Sequence, residues 1–425
     1  MKNAFDLFGI APSLQKLAQR TQEDIKEEFE KIENIQSVNE AKVLKAFCDN
    51  RISESHLLGS VGYGYDDRGR DGLDAVVSQV FSSEDALVRH NFVSGTHALT
   101  VALFGVLRPG DWMVSITGSP YDTMEEVIGI RGEGHGSLKD FGVLYRQLER
   151  LPDGNVDIEG IPKAVCGAKV AYIQRSRGYS LFPALTIAQI EEIIATIKTV
   201  NPDIYVVVDN CYGEFVELEE PTAIGADLIV GSLIKNPGGG IAKTGGYIAG
   251  KRELVQMCAY RLTAPGVGKE VGATLDQNRS MYMGLFFAPS VVANALKTSC
   301  FALRFFEYIG FDVYPKYNAP RTDIIATVCL ETKKRLLAFC KGIQSGSPVD
   351  SFVTPMPWDM PGYDEQVIMA AGTFTSGASI EISADAPMKA PYPVYLQGGL
   401  TYCTGQMSVL LAAQEMLNQG LLDEL

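Results

Sequence analysis

From residue 60 to residue 250 the chain alternates short apolar runs with stretches of helical period. A chain with that alternation folds into an α/β domain on a largely parallel sheet. The apolar runs predict strands at 88–93, 112–116, 143–145, 170–174, 205–209, 228–231 and 246–249, and the periodic segments predict helices at 96–106, 122–130 and 187–199. Ligands of such sheets gather at the carboxyl ends of the strands, so the strand-to-helix connections are where chemistry is expected.

The flanks differ. Residues 12–49 place Leu14, Leu17, Ile25, Phe29 and Ile32 on one helical face, with Lys and Glu opposite. The segment 251–310 reads as helical, and the remainder alternates strands and helices up to a helix at 406–418. A single core stops growing at about 250–300 residues, so 425 residues imply more than one. The expected division is a helical arm at 1–59, a large domain at 60–310 and a small C-terminal α+β domain at 311–425.

A net charge of −14 works against binding to nucleic acid or to an anionic membrane surface. Small molecules and other copies of the chain remain as partners. No uninterrupted apolar stretch approaches the roughly 20 residues of a membrane helix, and the N-terminus has no signal-peptide pattern. The eight cysteines are scattered, without a CxxC pair or close alternation with the four histidines, so neither a metal site nor a disulfide framework is expected. A reducing cytoplasm fits this usage.

The most informative stretch is Tyr205-Val-Val-Val-Asp209, followed by Gly231-Ser232-Leu-Ile-Lys235-Asn-Pro and three glycines. One strand ends in a carboxylate; the next delivers a lysine beside a serine. Pyridoxal 5'-phosphate (PLP) requires such a set. An amine binds the aldehyde, a carboxylate keeps the pyridine nitrogen protonated so that the ring can accept electrons, and small polar groups hold the phosphate. Asp209 and Lys235 are therefore candidates for ring and aldehyde, and Ser232 for the phosphate. An Asp ending a buried strand and a lysine in a loop are each common, so the reading rests on their combination. Lys243 competes for the amine role, but its surroundings lack the spacing of a P-loop, and Gly266–Gly272 lacks the dinucleotide fingerprint.

A second phosphate candidate is Ser94-Gly95-Thr96-His97, where a strand gives way to a helix whose free N–H groups favour an anion. Tyr121, in a turn after another strand, is placed to stack on a planar ring. Two stretches pair arginines with tyrosines and suit anion binding or a surface ion-pair loop equally: Tyr63 to Arg70, and Arg175-Ser-Arg177-Gly-Tyr179.

At these residues the chain resembles the cysteine/methionine-metabolism group of PLP enzymes. It is most similar to the methionine gamma-lyase-like family often called aluminium-resistance proteins or cystathionine beta-lyases. The resemblance runs through SGTHA at 94–98, PYDT at 120–123, QRSRGY at 174–179, VDNCYGEF at 208–215, GSLIKNPGGG at 231–240 and SADAP at 383–387. It implies the aspartate-aminotransferase-like fold type I, a carbon–sulfur lyase acting on a sulfur amino acid by β- or γ-elimination, and a homodimer or homotetramer. Carried over by position, Lys235 is the Schiff-base lysine, Asp209 the ring-nitrogen partner and Tyr121 the stacking aromatic. Ser94, Gly95, Thr96 and Ser232 hold the phosphate. Tyr65 and Arg68 resemble an element lent to a neighbouring subunit's phosphate, with one extra residue between them. The C-terminal arginine by which relatives hold the substrate carboxylate has no counterpart at Ser376–Ser383, which leaves Arg175, Arg177 and Arg321 as candidates. Aminotransferases and other amino-acid lyases share the Asp–Lys pair, and a regulatory protein without turnover could keep the fold.

Overall fold

The structure, a computed structural model, describes residues 4–360 and 365–422. Its contacts divide the chain into two compact units. One comprises the residues up to Ser37 together with those from Pro289 onward; the other is Val38–Ala288. The changeovers fall inside the helices Lys26–Asp49 and Asn278–Ile309, whereas the sequence reading draws boundaries at 59/60 and 310/311. Helical period runs unbroken through both changeovers, so composition does not mark them. Pro289, which removes one helical N–H, lies within the second.

The central unit holds seven strands: β1 (Asp85–Arg89), β2 (Trp112–Ser115), β3 (Leu144–Gln147), β4 (Val170–Gln174), β5 (Tyr205–Asp209), β6 (Leu228–Ser232) and β7 (Gly246–Gly250). They form one sheet in the order β1-β7-β6-β5-β4-β2-β3. The five strands β3, β2, β4, β5 and β6 are parallel, and β7 runs antiparallel to both its neighbours. The strands β4 and β5 lie where the apolar runs predict them. The first strand ends at Arg89, four residues earlier than expected. Phe92 and Val93, apolar though they are, belong to the connection into helix Gly95–Val106. That helix packs Ala98, Leu99, Ala102 and Leu103 into a core with Val170, Val207, Leu228 and Val230.

In the parallel part, Gln174 lies opposite Asp209, and Asp209 opposite Val230. Ser232 is two residues beyond Val230 and so lies on the same face of its strand as Val230. The carboxyl ends of β4, β5 and β6 thus bring Gln174, Asp209 and Ser232 to one edge.

The other unit carries a five-stranded antiparallel sheet, β8 (Asp312–Tyr314), β9 (Ala326–Cys329), β10 (Val367–Ala370), β11 (Ser383–Pro387) and β12 (Pro393–Gln397), in the order β10-β11-β12-β9-β8. Helix Lys333–Ser345 packs against helix Tyr402–Asn418. The N-terminal helix Pro12–Asp24 joins this core through Leu14 and Ala18, which cluster with Phe301, Phe305, Phe306 and Phe339. Asn278–Ile309 is long and apolar enough to cross a membrane by length and composition, but 67% of its most apolar window is buried.

Candidate active site

A cleft of about 190 Å³ opens at the carboxyl edge of the large sheet. Its lining includes Ser94, Gly95, Thr96, Tyr121, Asp209, Ser232 and Lys235. Seven residues spread over 142 positions of sequence therefore meet at one cavity. They come from two strand ends, β5 and β6 with the residues just after it, one helix N-terminus and one turn.

The helix Gly95–Val106 forms the anion end. Ser94 caps it by accepting the N–H of His97 at 3.0 Å, and His97 accepts the N–H of Val93 through Nδ1 at 3.2 Å. The remaining first-turn N–H groups and the positive end of the helix dipole favour an anion. A Cβ at Gly95 would lie 3.3 Å from Ser232 Cβ and 3.5 Å from Cys211 Sγ, so a side chain there would close the cradle between helix and β6.

Asp209 is buried at the end of β5. One oxygen accepts the N–H of Cys211 at 3.1 Å; the other receives a long 3.4 Å bond from the hydroxyl of buried Tyr172. Burial holds its carboxyl above the ordinary range, with the charge of Lys235 pulling the other way. Such a carboxylate favours a cationic partner. Lys235 is partly exposed to the cleft, and its amine lies 4.2 Å from the centre of the Tyr212 ring. Burial works against its charge, yet Cys211, Tyr212, Asp209 and Glu214 around it outweigh that and raise its pKa. The N–H of Tyr121 is fixed by Gln174 Oε1 at 2.7 Å, which seats the turn beside the cleft.

These groups suit PLP. A lysine amine, a buried carboxylate lacking a full counter-charge, an aromatic ring and a helix N-terminus with a glycine cradle are the donor set that an aldehyde, a pyridine ring and a phosphate require.

The three candidate substrate arginines part company. Arg175 is fully buried behind the sheet edge. It donates to Asn210 Oδ1 at 2.8 Å, to Glu217 at 2.8 Å and to Glu220 at 3.4 Å. It is not brought to the cleft. One residue past the end of β4, it points away from the face that Gln174 presents, because successive side chains alternate. Arg177 lines a second cleft adjoining the first. Arg321 lies in the C-terminal unit, donating to Ser299 Oγ at 2.5 Å and to the carbonyls of Asp323 and Ile325. Tyr65 and Arg68 are exposed and absent from the lining of the cleft. Among the described residues no cluster of side chains suits a metal ion.

Sequence reasoning missed several neighbours. Gln174, Tyr172 and Tyr212 each touch a cleft group. A buried chain of hydrogen bonds also runs behind them: Asn210 donates to Glu220 at 2.8 Å and to the Tyr247 hydroxyl at 3.3 Å, and that hydroxyl donates to Glu214 at 2.8 Å. Asn236, next to Lys235, donates to the carbonyl of Glu214 at 3.0 Å. The polar residues of 208–215 are the only signal in the sequence that something buried there needs partners.

The sequence model of the family described as methionine gamma-lyase matches residues 14–417. The uncharacterized protein YnbB of Bacillus subtilis is 48% identical over 420 residues, 98% of this chain and 100% of that protein. The crystal structure of a carbon–sulfur lyase involved in aluminum resistance from Clostridium novyi NT is 48% identical with a TM-score of 0.94, covering 97% of this chain and 98% of that one. The pyridoxal-5'-phosphate-dependent protein YhfS from Escherichia coli, at 15% identity, shares the fold with a TM-score of 0.62 over 91% of this chain and 97% of its own.

Proposed function

The chain belongs to the methionine gamma-lyase family and is a PLP-dependent carbon–sulfur lyase of fold type I acting on a sulfur amino acid, and we propose that Lys235 is the amine that carries its cofactor. The observation that carries this reading is the meeting of Lys235, Asp209 and a glycine-cradled helix N-terminus at one cleft. When bound, the cofactor supplies an electron sink for the pair released at the substrate α-carbon.

The side chains would divide the work as follows. The Asp209 carboxylate holds a proton on the ring nitrogen, and the resulting cation supplies the counter-charge that its burial lacks. Gly95, Thr96 and Ser232, with Ser94 at the helix cap, hold the phosphate. Tyr121, which lines the cleft, would cover one face of the ring. Lys235 Nζ would hold the cofactor and, when its amine is free, would take the α-proton of the substrate as general base. Arg177 receives the substrate α-carboxylate; Arg175 is engaged elsewhere. Net, one carbon–sulfur bond breaks, the sulfur leaves as a thiol and one water is consumed, giving a 2-oxo acid and ammonia.

Tyr65 and Arg68, exposed and outside their own chain's cleft, support a homo-oligomer in which they reach the phosphate of a neighbouring copy. All eight cysteines are free, which supports a reducing cytoplasmic setting. The test is incubation of the PLP-loaded protein with cystathionine, cysteine and methionine in turn. Release of thiol, 2-oxo acid and ammonia without any amino acceptor is expected. A requirement for an acceptor would point to transamination instead.

A further inference from the structure

The second cleft, of about 310 Å³, shares Tyr121, Gln174, Ser176 and Gly178 with the cofactor cleft as a common wall. It contains two arginines. Arg177 is only 5% exposed and is bracketed in sequence by Ser176 and Gly178 of that wall. Arg150 arrives from a separate loop. Its Nε donates to the carbonyl of Thr117 at 3.1 Å, and one terminal nitrogen donates to the carbonyls of Gly154 and Pro183, both at 3.0 Å. None of those three residues lines the cofactor cleft.

These bonds aim the Arg150 guanidinium without neutralising it, since every acceptor is an uncharged carbonyl. Among the described residues no carboxylate lies within ion-pairing distance of it. The acidic residues of the lining do not fill that role. Glu125 takes the Ser119 hydroxyl at 2.5 Å and faces Arg131 at 3.6 Å, and Glu149 takes the Gln147 amide at 2.5 Å; Asp122 is the third acid of the lining. Burial, and then the neighbouring charge of Arg177, bring Arg150 down to about 10. The Arg150 guanidinium, drawn out of water beside a second positive charge and held only by carbonyls, favours anionic company.

We propose that Arg150 is the specificity residue for the sulfur-side substituent of the substrate. Arg177, next to the shared wall, takes the α-carboxylate, and Arg150 takes a second carboxylate at the far end of the departing thiol. The preferred substrates are then S-substituted cysteines or homocysteines whose leaving thiol is itself anionic, rather than plain alkyl thioethers such as methionine. This rests on the lyase reading above and adds the substrate class to it. The planar fork of arginine matches a carboxylate with two parallel hydrogen bonds, which a methyl or propyl group cannot use.

The experiment compares S-(2-carboxyethyl)-L-cysteine with S-propyl-L-cysteine, which are similar in length and differ in a carboxylate for a methyl, and likewise their homocysteine counterparts. The native holoenzyme is expected to favour the carboxylate member by about tenfold or more in kcat/KM, carried by KM, as a charged hydrogen bond implies. Arg150→Gln is expected to erase most of that preference. Arg150→Lys, which keeps a charge and a donor for the loop carbonyls, is expected to retain part of it and guards against a loop that fails to fold. Equal turnover of the two members by the native enzyme, or a preference that survives Arg150→Gln, overturns the assignment. Turnover of neither member, with no thiol or oxo acid from either series, overturns the lyase reading and this inference with it.

Discussion

The amine of Lys235 lies 4.2 Å from the centre of the Tyr212 ring, and Tyr212 holds that position with a backbone φ of +70°. A bulky residue in the left-handed region is disfavoured and persists only where its surroundings impose it. Tyr212 directly follows Cys211, whose N–H binds Asp209, so the turn that fixes the carboxylate also presents an aromatic face to the amine. The ring is then a guide for Lys235 in its cofactor-free position, through attraction between the ring face and the ammonium. Tyr212→Ala is expected to lower kcat by about tenfold. Tyr212→Phe, which keeps the face, should lose clearly less, and steady-state kinetics of the two variants check this.

The role proposed for Asp209 is the opposite, to hold a charge that its burial disfavours. Asp209→Asn keeps the shape and removes the charge. The loss expected in kcat is on the order of a hundredfold or more, the range of a misplaced proton in acid–base catalysis. Bound cofactor should remain detectable by its visible absorbance, which separates a chemical defect from failure to load.

Arg175 tests whether two neighbouring arginines differ in kind. Arg175→Met would leave Glu220 and Glu217 without the guanidinium that pairs them. Breaking a buried pair from one side costs roughly 3–5 kcal/mol. A lowered unfolding midpoint in denaturant is expected for Arg175→Met. Arg177→Gln should instead raise KM and leave the midpoint much closer to that of the native protein.

Glu214 gives stability a dependence on pH. Burial, reinforced by nearby Glu220, pushes its carboxyl from the ordinary 4.5 up to about 8. Between those values the folded protein keeps a proton that the unfolded chain has released. Stability from this group is therefore complete below about pH 4.5 and declines as pH rises through about 8. Glu214→Gln keeps a neutral side chain at every pH. Its unfolding midpoint relative to the native protein should rise between pH 6 and pH 8.5; a difference that stays flat would mean that Glu214 is not held protonated.

Much of this was legible in the residues, and the exceptions have physical causes. The strands Val170–Gln174 and Tyr205–Asp209 are apolar runs bounded by polar residues, and they form where those bounds lie. The pairing of Asp209 with the Ser232–Lys235 turn could be anticipated because parallel neighbours end at the same edge. Which of Arg175 and Arg177 faces a cleft could not. Two residues apart, they would share one face if the strand continued; β4 ends at Gln174, and the turn beyond it, with Gly178 at φ +56°, carries Arg177 to the second cleft while Arg175 stays buried. Arg150 was invisible for a different reason: its loop meets the site through bonds to residues 117, 154 and 183. No local pattern announces a contact made by backbone carbonyls from three separate turns. The division of the chain was hidden likewise, because a helix that passes from one unit to the other keeps its period throughout.

The most direct test of the account is to trap the cofactor on the protein by borohydride reduction of the native holoenzyme and to map the modified peptide by mass spectrometry. The expected result is a single pyridoxyl group on Lys235, absent from Lys235→Ala, which also loses the bound visible absorbance. A label on Lys243 or another lysine, or an unchanged spectrum in Lys235→Ala, would contradict it.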